Sequence, residues 1–178
     1  EKSPRAVMPS SAEWRFDVPG LRWVGVFVDQ PLSEIAAVAQ QLKLAAVQIH
    51  RDLDEAAVED LRQNLPIGTE IWLALQPDEA TASFNLAVDR WVLDRRKSGD
   101  PMEQQAFDWS AWATKKPANQ LVLAGGLGPT NLSAARRLGF GLLDVNSGVE
   151  SQPGSKSVPL IQTCFNALRG QGKECASA

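Results

Sequence analysis

Short apolar, β-branched runs alternate along the chain with stretches whose apolar residues recur at helical spacing, the pattern of strand–helix units. Trp23–Val28 reads as a strand, and Pro31 then opens a helix carrying Ile35, Ala36, Val38, Ala39 and Leu42. Ala46–His50 is the next strand, followed by a helix through Val58 and Leu61. Glu70–Leu75 is a third, followed by a helix over Asp78–Leu86. Arg90–Asp94 is a fourth, with a polar loop and a short helix from Asp108 behind it. Gln120–Ala124 leads into a helix from Pro129, and Leu142–Val145 is the last strand, before a closing helix around Leu160–Leu168.

The strands are hydrophobic on both faces, as strands buried in an all-parallel sheet are. A doubly wound open sheet and a (β/α)8 barrel both fit that description. A barrel commonly takes roughly 200 residues or more, and this chain has 178. The expectation is therefore an α/β protein, a (β/α)8 TIM barrel truncated to about six strand–helix units and lacking its first two strands. The absence of an initiator Met fits that reading. Residues 1–170 are expected to form a single barrel domain, and residues 171–178 a disordered tail.

Charge and composition narrow the partners. With 18 basic and 21 acidic residues the net charge is -3, and no Lys/Arg block stands out, so nucleic acid is not expected. No apolar run approaches the roughly 20 residues that span a bilayer. The polar start Glu1–Arg5 lacks the apolar core of a signal peptide. The two cysteines, Cys164 and Cys175, make no disulfide framework, and His50 is the only histidine, so neither a zinc site nor another metal is expected. The default compartment is cytoplasmic. Cys164 falls with Leu160, Ile161, Phe165 and Leu168 at helical spacing and reads as a small core hydrophobe.

Candidate chemistry gathers between Leu121 and Gly154. Leu121–Asn131 runs strand, glycine turn (Gly125, Gly126, Gly128), then Pro129 at an expected first helical turn. Glycines let a backbone approach an anion closely, and free N–H groups can then face it. Asp144-Val145-Asn146-Ser147-Gly148-Val149-Glu150 repeats the device one unit later. In barrels, phosphate sites commonly form from the loops after the last two strands. The alternative is that these glycines serve only as tight turns. A dinucleotide fingerprint is a weaker rival, because Asn131 stands where its third glycine belongs and the motif falls late in the chain.

Asp94, His50 and Asp144 each end a strand, where barrel active sites lie. An aspartate there is a candidate acid or base, or alternatively a helix cap or loop anchor. His50, as a lone histidine, is a candidate on the same ground, with a structural role as its alternative.

Ser3-Pro4-Arg5, Val24–Val28, Ala46–His50, Val92-Leu93-Asp94, Phe107–Ser110, Leu123–Leu127 and Asp144–Gly154 occur in an order and spacing that together are specific. In them the chain resembles the phosphoribosylanthranilate isomerases, (β/α)8 barrel enzymes of tryptophan biosynthesis. The Glu150–Gly154 ending looks most like the isomerase half of enzymes fused behind indole-glycerol-phosphate synthase. The resemblance implies an Amadori rearrangement of N-(5-phosphoribosyl)anthranilate to its 1-deoxyribulose isomer, without metal or organic cofactor. It implies Asp94 as general acid, and Arg5 as the arginine meeting the anthranilate carboxylate, with His50 and Asp144 also at the substrate. Gly125, Gly126, Ser147 and Gly148 would hold the phosphate.

Three positions depart from the family pattern. Its catalytic cysteine, on the first strand, is absent, and neither Cys164 nor Cys175 stands where it could replace it. The glycine-rich loop before Phe107 is reduced to Ser98–Gln105, and the usual His-Gly pair is His50-Arg51. The chain alone is therefore expected to be inactive. A degenerate sugar-phosphate-binding barrel is the alternative of another class. The related histidine-pathway isomerase is a further one, though its half-barrel repeat is not evident here.

Overall fold

Every apolar run read as a strand forms one, in a computed structural model that describes residues 3–75, 85–94, 112 and 117–169. The strands are β1 (Val24–Phe27), β2 (Ala46–Ile49), β3 (Glu70–Leu75), β4 (Arg90–Leu93), β5 (Leu121–Leu123) and β6 (Leu142–Leu143). Among the described residues the α-helices are α1 (Leu32–Gln41), α2 (Glu55–Asn64), α3 (Leu132–Arg137) and α4 (Val158–Arg169), with a buried helical residue at Trp112 and a 3-10 helix over Pro9–Asp17. The helix expected from Asp78 falls outside the described residues except for Asn85 and Leu86, which form a turn. The Ser98–Gln105 loop, the helix start at Asp108 and the tail 171–178 also lie outside them.

The chain divides into two compact units, Glu1–Val92 and Leu93–Ala178. In the first, β1, β2 and β3 run parallel in sequence order, with Val24 opposite Ala46 and Ala46 opposite Glu70. β4 follows on, tied by the Asp89 N–H donating to the Ile71 carbonyl at 2.9 Å. All four residues of β2 are buried, whereas Val26 of the edge strand β1 is 60% exposed. That contrast is the one expected between an interior and an edge strand. Gly25 makes room in β1, since a Cβ there would lie 2.6 Å from Leu44 Cδ1 and 2.8 Å from the Phe27 ring.

α1 turns Ile35, Ala36 and Ala39 inward, and just past its C-cap Leu42 the chain turns at Lys43, which takes φ 43° in the place a glycine commonly holds. The Leu44 N–H closes that end on the Ala39 carbonyl at 3.0 Å. α2 starts at Asp54, whose carboxylate accepts the Ala57 N–H at 2.8 Å, satisfying one of the helix's orphan donors. Its last turn carries Arg62, which pairs with Asp89 at 2.7 Å just before β4. Asp89 also accepts the Ile71 N–H, so one carboxylate links helix and strand.

At the start of β3, Glu70 accepts from Arg22 (2.9 Å), Arg90 (2.8 Å) and the Trp72 indole N–H (2.7 Å). The Arg90 guanidinium also lies 5.6 Å from the Trp72 ring centre. Burial by itself would raise the Glu70 carboxyl, but the Arg90, Arg22 and Trp72 hydrogen bonds and the Arg90 charge outweigh it, lowering it to about 2.

In the second unit, the Ala124 N–H donates to Leu93, the last residue of β4, at 3.0 Å, and β5 pairs parallel with β6, Val122 opposite Leu142. Three features differ from the sequence expectation. α3 starts at Leu132, with Pro129–Asn131 forming a turn, because the Asn131 side chain bonds the glycine loop instead of letting the helix begin at Pro129. An antiparallel hairpin, β7 (Glu150–Gln152) and β8 (Ser155–Lys156), precedes the last helix. In α4, Cys164 is buried and its thiol is pushed up by desolvation, but its neighbour Phe165 is 53% exposed, packed under Arg169 rather than in the core. Phe165 lies about 100° round the helix from Cys164, on the side of α4 that is exposed. α3 and α4 are joined by the Ser133 hydroxyl donating to the Ala167 carbonyl (3.2 Å) and by Arg136 donating to the Leu168 carbonyl.

Candidate functional site

Hydrogen bonding at the strand ends sets the register of the second unit. The Ala124 N–H reaches the Leu93 carbonyl, and the Asp144 N–H reaches the Leu123 carbonyl at 2.8 Å. Asp94, Ala124 and Asp144 are thus the first residues beyond three adjoining strand ends, and Gly125 follows Ala124 directly. Asp94 and Asp144 are both half-buried.

Two glycine loops leave these ends and interlock. Gly125 and Gly126 take φ 80° and 72°, the left-handed backbone that a side chain disfavours. Gly128 and Gly148 are small for another reason: the loops touch there, backbone on backbone. A Cβ on Gly148 would run into the Leu127 carbonyl oxygen and lie 2.8 Å from Gly128 Cα; one on Gly128 would lie 3.2 Å from Gly148 Cα. Only glycine allows that approach.

Asn131 staples the first loop from within, its Oδ1 accepting the Gly128 N–H at 2.9 Å and its Nδ2 donating to the Gly126 carbonyl at 3.0 Å. Sequence reasoning registered Asn131 only as a missing glycine. The available signal was an Asn directly before an apolar helical run, a residue that commonly bonds nearby backbone. With Gly128 so engaged, the N–H groups of Gly125 and Gly126 have no intramolecular acceptor among the described residues. In the second loop Ser147–Val149 is a single 3-10 turn, and the first N–H groups of such a turn have no acceptor within it. The arrangement offers several amide donors on two packed loops, beside a half-buried carboxyl group.

The remaining candidates belong to the first unit. His50 follows β2, half-buried, with the amide nitrogen of buried Gln48 hydrogen-bonded to its Nε2 at 2.7 Å. Arg5 is exposed in an N-terminal turn, its N–H donating to Ser3 Oγ at 3.2 Å. A shallow cleft lined by Arg62, Pro66, Ile67, Thr69 and Asp89 lies where β3 begins, not where the strands end. Among the described residues no group of three His, Cys, Asp or Glu side chains could hold a metal ion, and no helix is long and apolar enough to cross a membrane.

Comparison with known proteins decides the family. The profile of the N-(5'phosphoribosyl)anthranilate (PRA) isomerases matches residues 1–167. The chain belongs to that family. It is 37% identical to the N-(5'-phosphoribosyl)anthranilate isomerase of Granulibacter bethesdensis, over 94% of this chain and 83% of that protein. It is 43% identical to the tryptophan biosynthesis protein TrpCF of Yersinia pestis, over 95% of this chain but only 35% of that protein. The chain thus spans about a third of the TrpCF relatives it matches. Among solved structures, the phosphoribosyl anthranilate isomerase of Thermotoga maritima superposes with a TM-score of 0.79 at 26% identity, over 95% of this chain and 84% of that one. A further isomerase structure, in complex with reduced 1-(o-carboxyphenylamino)-1-deoxyribulose 5-phosphate, matches at 27% identity and a TM-score of 0.73, over 95% of this chain and 83% of that one. The fold of this family member is accordingly the (β/α)8 barrel fold in truncated form, six of whose parallel strands are among the described residues.

Proposed function

We propose that the polypeptide to which this chain belongs is a phosphoribosylanthranilate isomerase, converting N-(5-phosphoribosyl)anthranilate to 1-(2-carboxyphenylamino)-1-deoxyribulose 5-phosphate in tryptophan biosynthesis. The observation that carries the reading is the pair of interlocked glycine loops with unspent amides, flanked by Asp94. Gly125, Gly126, Ser147 and Gly148 hold the 5-phosphate through backbone N–H groups, which suit a dianion because they are fixed and carry no side-chain entropy cost. Asp94 acts as general acid. It protonates the furanose ring oxygen, the C1–O bond breaks, and the anthranilate nitrogen supplies the electrons that make the Schiff base. A general base then takes the C2 proton, and the resulting enamine tautomerises to the ketone. Arg5 meets the anthranilate carboxylate, a task suited to a guanidinium fork, and His50 and Asp144 line the sugar. Neither metal nor organic cofactor is needed for these proton transfers.

The base is the missing half of the chemistry. The family's cysteine has no counterpart in these 178 residues, so the chain by itself is inactive and the complete polypeptide supplies the base from another strand. Fusion to indole-glycerol-phosphate synthase, suggested by the likeness to TrpCF proteins, and a cytoplasmic location belong to the same proposal. Complementation of a tryptophan auxotroph lacking the isomerase tests it, with the full-length gene in one arm and the 178-residue chain in the other. Growth is expected only in the first. Failure of the full-length gene despite soluble protein would leave a sugar-phosphate-binding barrel without catalysis, and growth with the short chain would refute its inactivity.

A further inference from the structure

Immediately after the second glycine loop the chain doubles back. β7 and β8 pair antiparallel, with Gly154 turning between them at φ 85°. The return brings Lys156 to the loop that the chain has just left. Its ammonium donates to the Asn146 backbone carbonyl at 2.9 Å, to Asn146 Oδ1, and to Glu150 Oε1 at 2.9 Å. An ammonium has three donors, and these three contacts spend them all. The Glu150 side chain is only 4% exposed, so this end of the clasp is anchored in the protein rather than in solvent. The Ser157 N–H donating to the Val149 carbonyl at 2.8 Å fastens the same loop from the next residue.

Asn146 and Glu150 bracket the single 3-10 turn Ser147–Val149. One such turn has poor hydrogen-bond geometry and little stability of its own. We infer that Lys156 is a positioning residue for phosphate: it clasps both ends of that turn and so fixes the Ser147 and Gly148 amides toward the anion. The inference rests on the phosphate reading given above. Lys156 touches no ligand in this role, because its donors are already committed inside the protein.

The test uses the full-length protein, with Lys156→Met and Lys156→Arg, and measures kcat, KM for the phosphoribosyl substrate and the inhibition constant of inorganic phosphate. Lys156→Met should raise KM and the phosphate inhibition constant together by about tenfold, with kcat changed no more than about threefold. Lys156→Arg should recover much of both. Unchanged constants in Lys156→Met, or a loss confined to kcat, would overturn the inference. Should Lys156→Met fail to fold, Asn146→Ala removes one acceptor of the clasp; it should raise both constants by a smaller factor, and no rise counts against the clasp. Wild-type protein that phosphate does not inhibit would overturn the phosphate reading itself. Inhibition of wild type with the same constant in the variants would overturn only the role of Lys156.

Discussion

Where β3 begins, Glu70 accepts from Arg22, Arg90 and Trp72, and each of these side chains serves as a partner. Where β5 and β6 end, Gly125 and Gly126 present amides that nothing among the described residues accepts. The first region spends its polar groups on itself; the second holds its donors in place and leaves them unspent. Gly125 is half-buried and Gly126 exposed, so water can meet these amides until an anion displaces it, whereas the Glu70 carboxylate is engaged by its own partners. That difference explains why the Glu70 charge cluster is not the candidate site, although a cleft lies beside it.

Several substitutions would break or sharpen that contrast, the largest effect first. Asp94→Asn in the full-length protein should cut kcat by about 10²–10⁴-fold, the usual share of a general acid, while the phosphate inhibition constant stays put. Steady-state kinetics check both numbers; a fall of only a few-fold would assign Asp94 to loop anchoring. Gly148→Ala should destabilise the fold by about 2–4 kcal/mol, because its Cβ meets the Leu127 carbonyl and neither backbone can yield cheaply. Urea unfolding reads this directly, and wild-type stability would mean the loops are not interlocked.

Glu70→Gln tests the self-satisfied region. Its carboxyl lies at about 2 in the folded protein against an ordinary 4.5. A depressed folded value means that its contribution is complete above about 4.5 and is lost as pH falls from there toward 2. Glu70→Gln should therefore cost on the order of 2 kcal/mol near neutrality, allowing for solvent screening of a partly exposed network. The gap between variant and wild type should close through that acid window; a gap independent of pH would show that the ion pairs are not its source. Gly126→Ala is the mildest, about 1 kcal/mol, since the space beside it is open and only the positive φ is strained. An effect as large as that of Gly148→Ala would contradict this division of the glycines into turn formers and close-packing contacts.

Much of this was legible in the chain as written. The runs Ala46–Ile49, Glu70–Leu75, Arg90–Leu93 and Leu121–Leu123 are strands because they are apolar and β-branched, and His50, Asp94 and Asp144 stand just beyond strand ends as the pattern implied. Hydrophobic period and glycine placement are local properties, and local properties survive the loss of every distant contact.

What the sequence could not decide was how polar groups far apart in the chain are shared. The Glu70 network joins residues 22, 70 and 90, and Lys156 reaches back to Asn146 only because a hairpin returns it. Asn131 ends the glycine loop and delays α3 to Leu132 because its side chain finds Gly126 and Gly128. Phe165 lies on the exposed side of α4, about 100° round from the inward Cys164. Sequence alone determined the six parallel strands, the helices α1, α2 and α4, and where the glycine corner would fall. Tertiary structure alone decided which donors were spent and which were kept, since a hydrogen bond depends on the position of its partner and not only on the residue that carries it.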